Sequence, residues 1–367
     1  MINDPSSANL MRLMIAGGGT GGHLFPGVAI AEELRARDPQ AAVRFVGTKR
    51  GIEARVLPDL GWDLAMIEVS GLKTVGVWGA IKGVFRLPRS LWQARRLLKQ
   101  FKPDAVIGVG GYASGPVVLA AKLRGIPTAI CEQNSIPGFT NKLLGKLVRS
   151  VFLSFDESKR FFNPKKIVMS GNPVRRDLVQ KLLGAAPETR STVNVLVVGG
   201  SQGAVAVNEL ASIALGKLAK ETPLAITHQT GEKDLEPTSA RYREAGVSAD
   251  CRAFIKDMAA AYQHADLIIG RAGATTVAEL AIAGKPAIFI PYPFAADNHQ
   301  EINAREMADA GAALMFRQSE LTADRLAEAV RPLLDSRKRA DMAAAMKALA
   351  KPRAAAAVVD WCFEQTS

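Results

Sequence analysis

Twice in this sequence an apolar run leads straight into a cluster of glycines: LMIAGGGTGGH at residues 13–23 and VLVVGGSQGA at residues 195–204. A strand that ends in glycines before a helix lets backbone N–H groups approach an anion at the helix start. Its recurrence predicts a duplicated Rossmann-like unit. Around these turns, short Val- and Ile-rich runs alternate with longer helical stretches, the pattern of parallel sheets with helices on both faces. Strands are predicted at 13–16, 43–46, 65–69, 105–109, 128–131, 151–154 and 167–169, then at 195–198, 225–228, 252–254, 267–269, 287–290 and 313–316. The expected class is α/β, two Rossmann-like domains. Ligands of such sheets bind beyond the carboxyl ends of the strands, so two facing sheets would bring both glycine loops to one cleft.

At 367 residues the chain exceeds one ordinary core, and charge marks a division. Residues 1–173 hold 24 of the 47 basic side chains but only 12 of the 35 acidic ones, so the whole excess of +12 lies there. We expect a first domain at 11–173, a second at 174–349, and a hinge at Gly171-Asn172-Pro173. The last helix, within 350–367, is expected to pack back on the first domain.

Several classes are disfavoured. Residues 1–12 lack the regions of a signal peptide, which gives a cytoplasmic default. The uncharged run at 105–121 falls short of the ~20 apolar residues of a spanning helix, and glycines interrupt it. Cys131, Cys251 and Cys362 have neither disulfide nor zinc spacing. Asp-x-Asp is absent, which argues against a metal-dependent glycosyltransferase of that kind. Gly17, Gly19 and Gly22 fit G-x-G-x-x-G, but the second strand ends in Gly47-Thr48-Lys49-Arg50 without the ribose-binding acid of an NAD site.

Other positions carry chemistry. His23 stands where the first helix begins. It is a capping or packing residue, or, if the loop lines a cleft, a base able to take a hydroxyl proton near neutral pH. Ser201 and its neighbouring glycines could meet phosphate oxygens, or form a plain tight turn. RAGATTVAE at 271–279 follows a strand and enters a helix, with small residues where a phosphate could sit. Glu279 is then either a ribose acceptor or a solvated carboxylate. EQN at 132–134 and DNHQ at 297–300 supply amides suited to sugar hydroxyls.

Taken in order, GGGTGGH (17–23), GGYASGP (110–116), EQN (132–134), GNPVR (171–175), GGSQG (199–203), FIKDM (254–258), RAGATTVAE (271–279) and DNHQ (297–300) resemble the MurG family of bacterial N-acetylglucosaminyltransferases. The resemblance implies a GT-B fold and inverting transfer of N-acetylglucosamine from UDP-GlcNAc to lipid I, undecaprenyl-pyrophosphoryl-MurNAc-pentapeptide, giving lipid II. It also implies a peripheral place on the cytoplasmic face of the cytoplasmic membrane. His23 becomes the candidate base. Thr20, Gly21 and Gly22 would lie near donor and acceptor phosphates, and Asn134 and Gln300 near the donor sugar. Arg175 and Ser201 would serve the nucleotide diphosphate, and the backbone of Ile255 would pair with uracil. Ala274, Thr275, Thr276, Val277, Ala278 and Glu279 would form the helix start, with Glu279 on the ribose. Lys256 and Gly270 depart from the usual family residues without removing a contact group. No tightly bound cofactor or metal is expected; stimulation by a divalent cation and other cell-wall synthesis proteins as partners stay open.

Residues 73–102 hold eight basic side chains and no acidic one, interleaved with apolar residues. Pro88 is expected to kink or divide this stretch. Trp78, Ile81 and Phe85 are the proposed membrane patch, facing an anionic surface; the competing reading is an ordinary domain helix with a solvated basic face. Nucleic acid is the rival partner for the charge, and no nucleic-acid motif accompanies it. A UDP-GlcNAc 2-epimerase and a non-catalytic membrane-recruiting or binding subunit are the alternative functions.

Overall fold

Leu13 and Ile15 point to one face of the first strand, Met14 and Ala16 to the other, and all four are fully buried. A strand with no polar side needs cover on both faces. Helices Gly21–Arg37 and Ala354–Glu364 supply it on one face through Leu24, Val28, Val358 and Trp361. On the other, Gly76–Phe101 and Ser114–Leu123 do so through Ala94, Leu98, Val117 and Ala121.

The computed structural model describes residues 10–69, 76–184, 192–200 and 202–365, with the backbone alone for 76–87. The chain forms two units, one reaching to Arg176 and resuming at Arg353, the other Asp177–Pro352. In the first, β1 (Arg12–Ala16), β2 (Ala42–Gly47), β3 (Asp63–Met66), β4 (Ala105–Gly108), β5 (Thr128–Glu132), β6 (Ser150–Leu153) and β7 (Ile167–Val168) form a parallel sheet of order β3-β2-β1-β4-β5-β6-β7. In the second, β8 (Val193–Val198), β9 (Leu224–Gln229), β10 (Asp250–Arg252), β11 (Leu267–Gly270), β12 (Ala287–Phe289) and β13 (Ala313–Met315) form a parallel sheet of order β10-β9-β8-β11-β12-β13. Strand order reverses between β1 and β4 and between β8 and β11. At such a switch the following loops part in opposite directions and leave a crevice.

Every strand read from the sequence forms, and two are displaced. β3 lies at Asp63–Met66 rather than 65–69, and β10 at Asp250–Arg252 rather than 252–254. Both are edge strands with no fully buried residue. Their register comes from the one neighbour each pairs with, Arg44 opposite Asp63 and Thr227 opposite Asp250, rather than from an apolar face of their own.

Two further features differ from expectation. Gly171 donates its N–H to Leu153 and Asn172 is buried, so Gly171-Asn172-Pro173 is fastened to the first unit, and the division falls beyond it at Arg176. Pro88 does not divide its helix, which runs unbroken from Gly76 to Phe101. A proline removes one backbone bond, and burial of Ser90, Ala94, Leu98 and Phe101 holds the turns that follow. Lys73 lies outside the described residues, as do the side chains of Trp78, Ile81 and Phe85.

The terminal helix Ala354–Glu364 completes the first unit. Val358, Val359 and Cys362 are fully buried in the core cluster that holds Leu13 and Ile15 of β1, and Trp361 meets Phe152 edge to face at 6.2 Å. Each such apolar side chain contributes about 1.5–3 kcal/mol. Arg37 pairs with Asp360, and Arg149 donates to Gln365 at 2.7 Å.

Candidate active site

In the first unit the switch-point crevice is built around Glu53. This side chain is fully buried, and its oxygens accept the Gly19 N–H at 2.7 Å, the Thr48 N–H at 2.8 Å and the Thr48 hydroxyl at 3.0 Å. It thereby ties the glycine turn after β1 to the end of β2. Gly18 has φ +136° and a Cβ there would stand 2.7 Å from Glu53 Oε1, so both conformation and space call for glycine.

His23 sits in the first turn of Gly21–Arg37, half-buried, its Nδ1 3.3 Å from the Thr20 hydroxyl. Its ring lies over Gly110, where a Cβ would come 2.6 Å from Cδ2; glycine at 110 therefore makes room for the imidazole. In the tautomer whose Nδ1–H donates to Thr20, Nε2 carries the lone pair that a base needs; in the other, the Thr20 hydroxyl donates to Nδ1. The Arg175 guanidinium lies 5.9 Å from the ring centre of Phe25, two residues beyond His23.

The loop after β5 joins the same crevice. Gln133 is buried and donates to the Val109 carbonyl at 3.2 Å, so it packs rather than binds. Asn134 is half-buried. The buried Glu132 holds its N–H at 3.0 Å, together with the Gly138 N–H and the Asn141 amide. Burial lifts the Glu132 carboxyl above its ordinary range, and these hydrogen bonds pull it back in part.

In the second unit β8 and β11 open onto the other glycine turn and onto helix Ala274–Ala283. Gly203 closes the turn through its N–H to Gly200 and packs on the Thr230 carbonyl. Behind Thr230 lies a buried network: Asn208 donates to the Thr230 carbonyl at 2.8 Å and to Asp234 at 2.7 Å, and its amide oxygen faces His228 Nε2 at 3.1 Å. Nε2 therefore carries the proton and Nδ1 accepts from Tyr242. Burial pushes the imidazole down to about 3, so it is neutral at pH 7.

Helix Ala274–Ala283 begins at Gly273 without a side-chain cap, and in its first turn the Thr275 hydroxyl is buried with no partner among the described residues. Val277 turns into the core, and its N–H donates to the Gly273 carbonyl at 2.9 Å. Glu279 is not a solvated carboxylate: the buried Tyr262 donates to its Oε2 at 2.8 Å. Burial and this neighbour hold the phenol well above its usual pKa, so Tyr262 stays a donor. Arg271 donates to the carbonyls of Ile290 and Pro291 at 2.8 and 2.9 Å and to Gln318 at 2.8 Å, shaping the next loop. There Gln300 accepts the Tyr292 N–H at 3.1 Å, which leaves its NH₂ group to donate.

The expected site residues divide by unit. Thr20, Gly21, Gly22, His23, Asn134 and Arg175 belong to the first, and Ile255, Ala274, Thr275, Thr276, Ala278, Glu279 and Gln300 to the second; Ser201 lies outside the described residues. The Ile255 N–H is engaged by Gln229 at 2.8 Å, so its carbonyl is the group through which it can accept from a base. A cavity of about 550 Å³ in this unit shares Ile255 but is otherwise lined by residues of β8, β9 and β10 and by residues within 257–265, not by the glycine turn or the helix start. Among the described residues no group of three or more His, Cys, Asp or Glu is placed to hold a metal ion.

Residues 13–153 match the glycosyltransferase family 28 N-terminal domain, and residues 194–358 match the glycosyltransferase family 28 C-terminal domain. The chain belongs to glycosyltransferase family 28. A Myxococcus xanthus relative, named UDP-N-acetylglucosamine--N-acetylmuramyl-(pentapeptide) pyrophosphoryl-undecaprenol N-acetylglucosamine transferase, is 49% identical over 357 residues, 97% of this chain and 93% of that protein. The crystal structure of Acinetobacter baumannii MurG superimposes with a TM-score of 0.81 at 36% identity, over 96% of this chain and 99% of that one. A UDP-GlcNAc 2-epimerase from Neisseria meningitidis, bound to UDP-GlcNAc, gives 0.67 at 15% identity over 97% of this chain and 100% of its own, a likeness of fold alone.

For this family 28 chain, sequence reasoning missed Glu53, Gln229 and Tyr262, which hold the loops rather than face a ligand. The anchored Glu279 makes one consequence measurable. Glu279→Gln keeps an oxygen for Tyr262; if Glu279 accepts from ribose, the change turns a charge-assisted bond into a neutral one and is expected to weaken UDP binding by about 1–3 kcal/mol. Calorimetry showing unchanged UDP affinity would remove Glu279 from the ribose.

Proposed function

We propose that this family 28 protein is an inverting N-acetylglucosaminyltransferase that moves N-acetylglucosamine from UDP-GlcNAc to the 4-hydroxyl of N-acetylmuramate in lipid I, producing lipid II for peptidoglycan synthesis. The observation that carries the reading is the 49% identity, across nearly the whole length of both chains, to a relative named for that transfer. The acceptor hydroxyl attacks the anomeric carbon as the bond to UDP breaks, His23 takes the hydroxyl proton, and UDP leaves as the anion. The N–H groups at the start of helix Ala274–Ala283, with Ser201, stabilise that leaving diphosphate, and the reading asks for no tightly held metal.

The epimerase is the second reading, favoured by the shared fold. Incubation with UDP-GlcNAc and a lipid I analogue, followed by mass and chromatographic analysis, separates the two. A product heavier by one N-acetylglucosamine supports transfer, whereas UDP-ManNAc formed from donor alone supports epimerisation.

The acceptor is lipid-linked, and the reading places the protein on the cytoplasmic face of the cytoplasmic membrane as a peripheral enzyme. No helix among the described residues is long and apolar enough to cross a membrane. Support comes from helix Gly76–Phe101, where Trp92 is 61% exposed beside Arg89, Arg95, Arg96 and Lys99. Each basic residue near an anionic surface contributes about 1 kcal/mol, and apolar side chains add insertion. Replacing Trp78, Ile81 and Phe85 together by Ser is expected to reduce co-sedimentation with anionic vesicles and activity on long-chain lipid I while sparing UDP binding. Unchanged sedimentation of the folded triple variant would sink the patch.

A further inference from the structure

Gln229 ends β9 and is buried, yet no chemical step above uses it. Its amide joins two loops. Nε2 donates at 3.0 Å to the carbonyl of Gly200, in the glycine turn after β8, and Oε1 accepts at 2.8 Å from the N–H of Ile255, in the loop after β10. β9 lies between β8 and β10 in the sheet, so a side chain at its carboxyl end can reach the loops of both neighbours. An amide satisfied on both sides fixes the spacing of the two backbones it joins, because loss of either function strands a buried group.

We infer that Gln229 is a positioning residue of the donor site, a clasp that sets the distance between the turn facing the diphosphate and the peptide facing the nucleobase. The inference rests on the donor-site reading above and deepens it: a nucleoside diphosphate meets both loops at once, whereas either loop alone would meet only part of it. The clasp needs one donor and one acceptor at a single position. Glutamine has both. A neutral carboxylic acid also has both, presenting C=O to Ile255 and O–H to Gly200; a carboxylate has acceptors only and sets its charge against the Gly200 carbonyl and the incoming diphosphate.

This difference gives a readout that a merely structural role would not produce. UDP binding is measured by calorimetry from pH 8 to pH 5 for the wild type, Gln229→Glu and Gln229→Met, and each variant is expressed as a ratio to the wild type, which cancels the titration of UDP itself. The expected Glu variant binds UDP roughly tenfold or more weakly than the wild type at pH 8 and regains affinity as the pH falls, while the Met variant is weakened by a ratio that does not change with pH. Burial raises the introduced carboxyl above its ordinary ~4.3 and brings the recovery into this range. Should the Met variant not fold, the Glu variant still decides, since its neutral form retains both bonds. No UDP binding by the wild type would overturn the donor-site reading itself. Wild-type binding with a Glu ratio that stays flat across this range would overturn the clasp alone.

Discussion

His23→Ala is expected to lower turnover by roughly 10²–10⁴-fold while donor affinity stays close to that of the wild type. The imidazole is half-buried at the start of Gly21–Arg37, held at Nδ1 by Thr20 and given room by Gly110, an arrangement that costs two special positions for one side chain. A residue that only capped the helix would not need the facing loop to be glycine. Ile255 and Glu279, the residues proposed for uracil and ribose, belong to the other unit, so loss of the His23 side chain is expected to leave UDP binding largely intact. Steady-state kinetics at saturating substrates, beside calorimetry with UDP, check this. Near-wild-type turnover would return His23 to the capping role.

The second large effect is expected at Glu53. Gly19 N–H, Thr48 N–H and the Thr48 hydroxyl all donate to this buried carboxylate. Glu53→Gln supplies one acceptor and sets an NH₂ group against an N–H. Stranding donors in this way costs about 2–6 kcal/mol, at ~1–3 kcal/mol for each unsatisfied group. For a unit of this size that lowers Tm by on the order of 5–20 °C. Transfer activity falls with it, because the turn that precedes His23 loses its anchor. An unchanged Tm in Glu53→Gln would mean that the glycine turn is held by something else.

These two residues also mark where the sequence was legible. His23 stood out because it closes a glycine turn after an apolar strand, a local pattern within one stretch of chain. Glu53 did not, since Gly19 lies far from it in sequence and nothing in Glu53-Ala54-Arg55 separates a buried carboxylate from a solvated one. The faint sign was glycine at 47 and 51, where a Cβ would collide with the Glu53 side chain. Gln229 was hidden in the same way: at the end of a strand its amide looks like any polar terminus until the loops on both sides are in place. At Glu279 the structure adds a partner that no local pattern announced, the Tyr262 hydroxyl, and the ribose role stays with the binding measurement.

The central strands were readable because they are buried on both faces and their composition shows it, as at β1. The edge strands β3 and β10 slid because their neighbours set their register. Of the two outcomes expected at Pro88, division did not occur, because burial of Ala94, Leu98 and Phe101 governs the helix beyond it.

The most direct test of the proposed chemistry is the linkage it makes. UDP-GlcNAc carries its sugar in the α configuration, so one displacement by the acceptor hydroxyl gives a β-linked product. Isolation of the disaccharide formed from UDP-GlcNAc and a lipid I analogue, with assignment of the new glycosidic bond by NMR, should show a single N-acetylglucosamine β-linked to O4 of N-acetylmuramate and one UDP released per transfer. An α-linked product, attachment at another hydroxyl, or no transfer by a folded protein that binds UDP-GlcNAc would contradict the account.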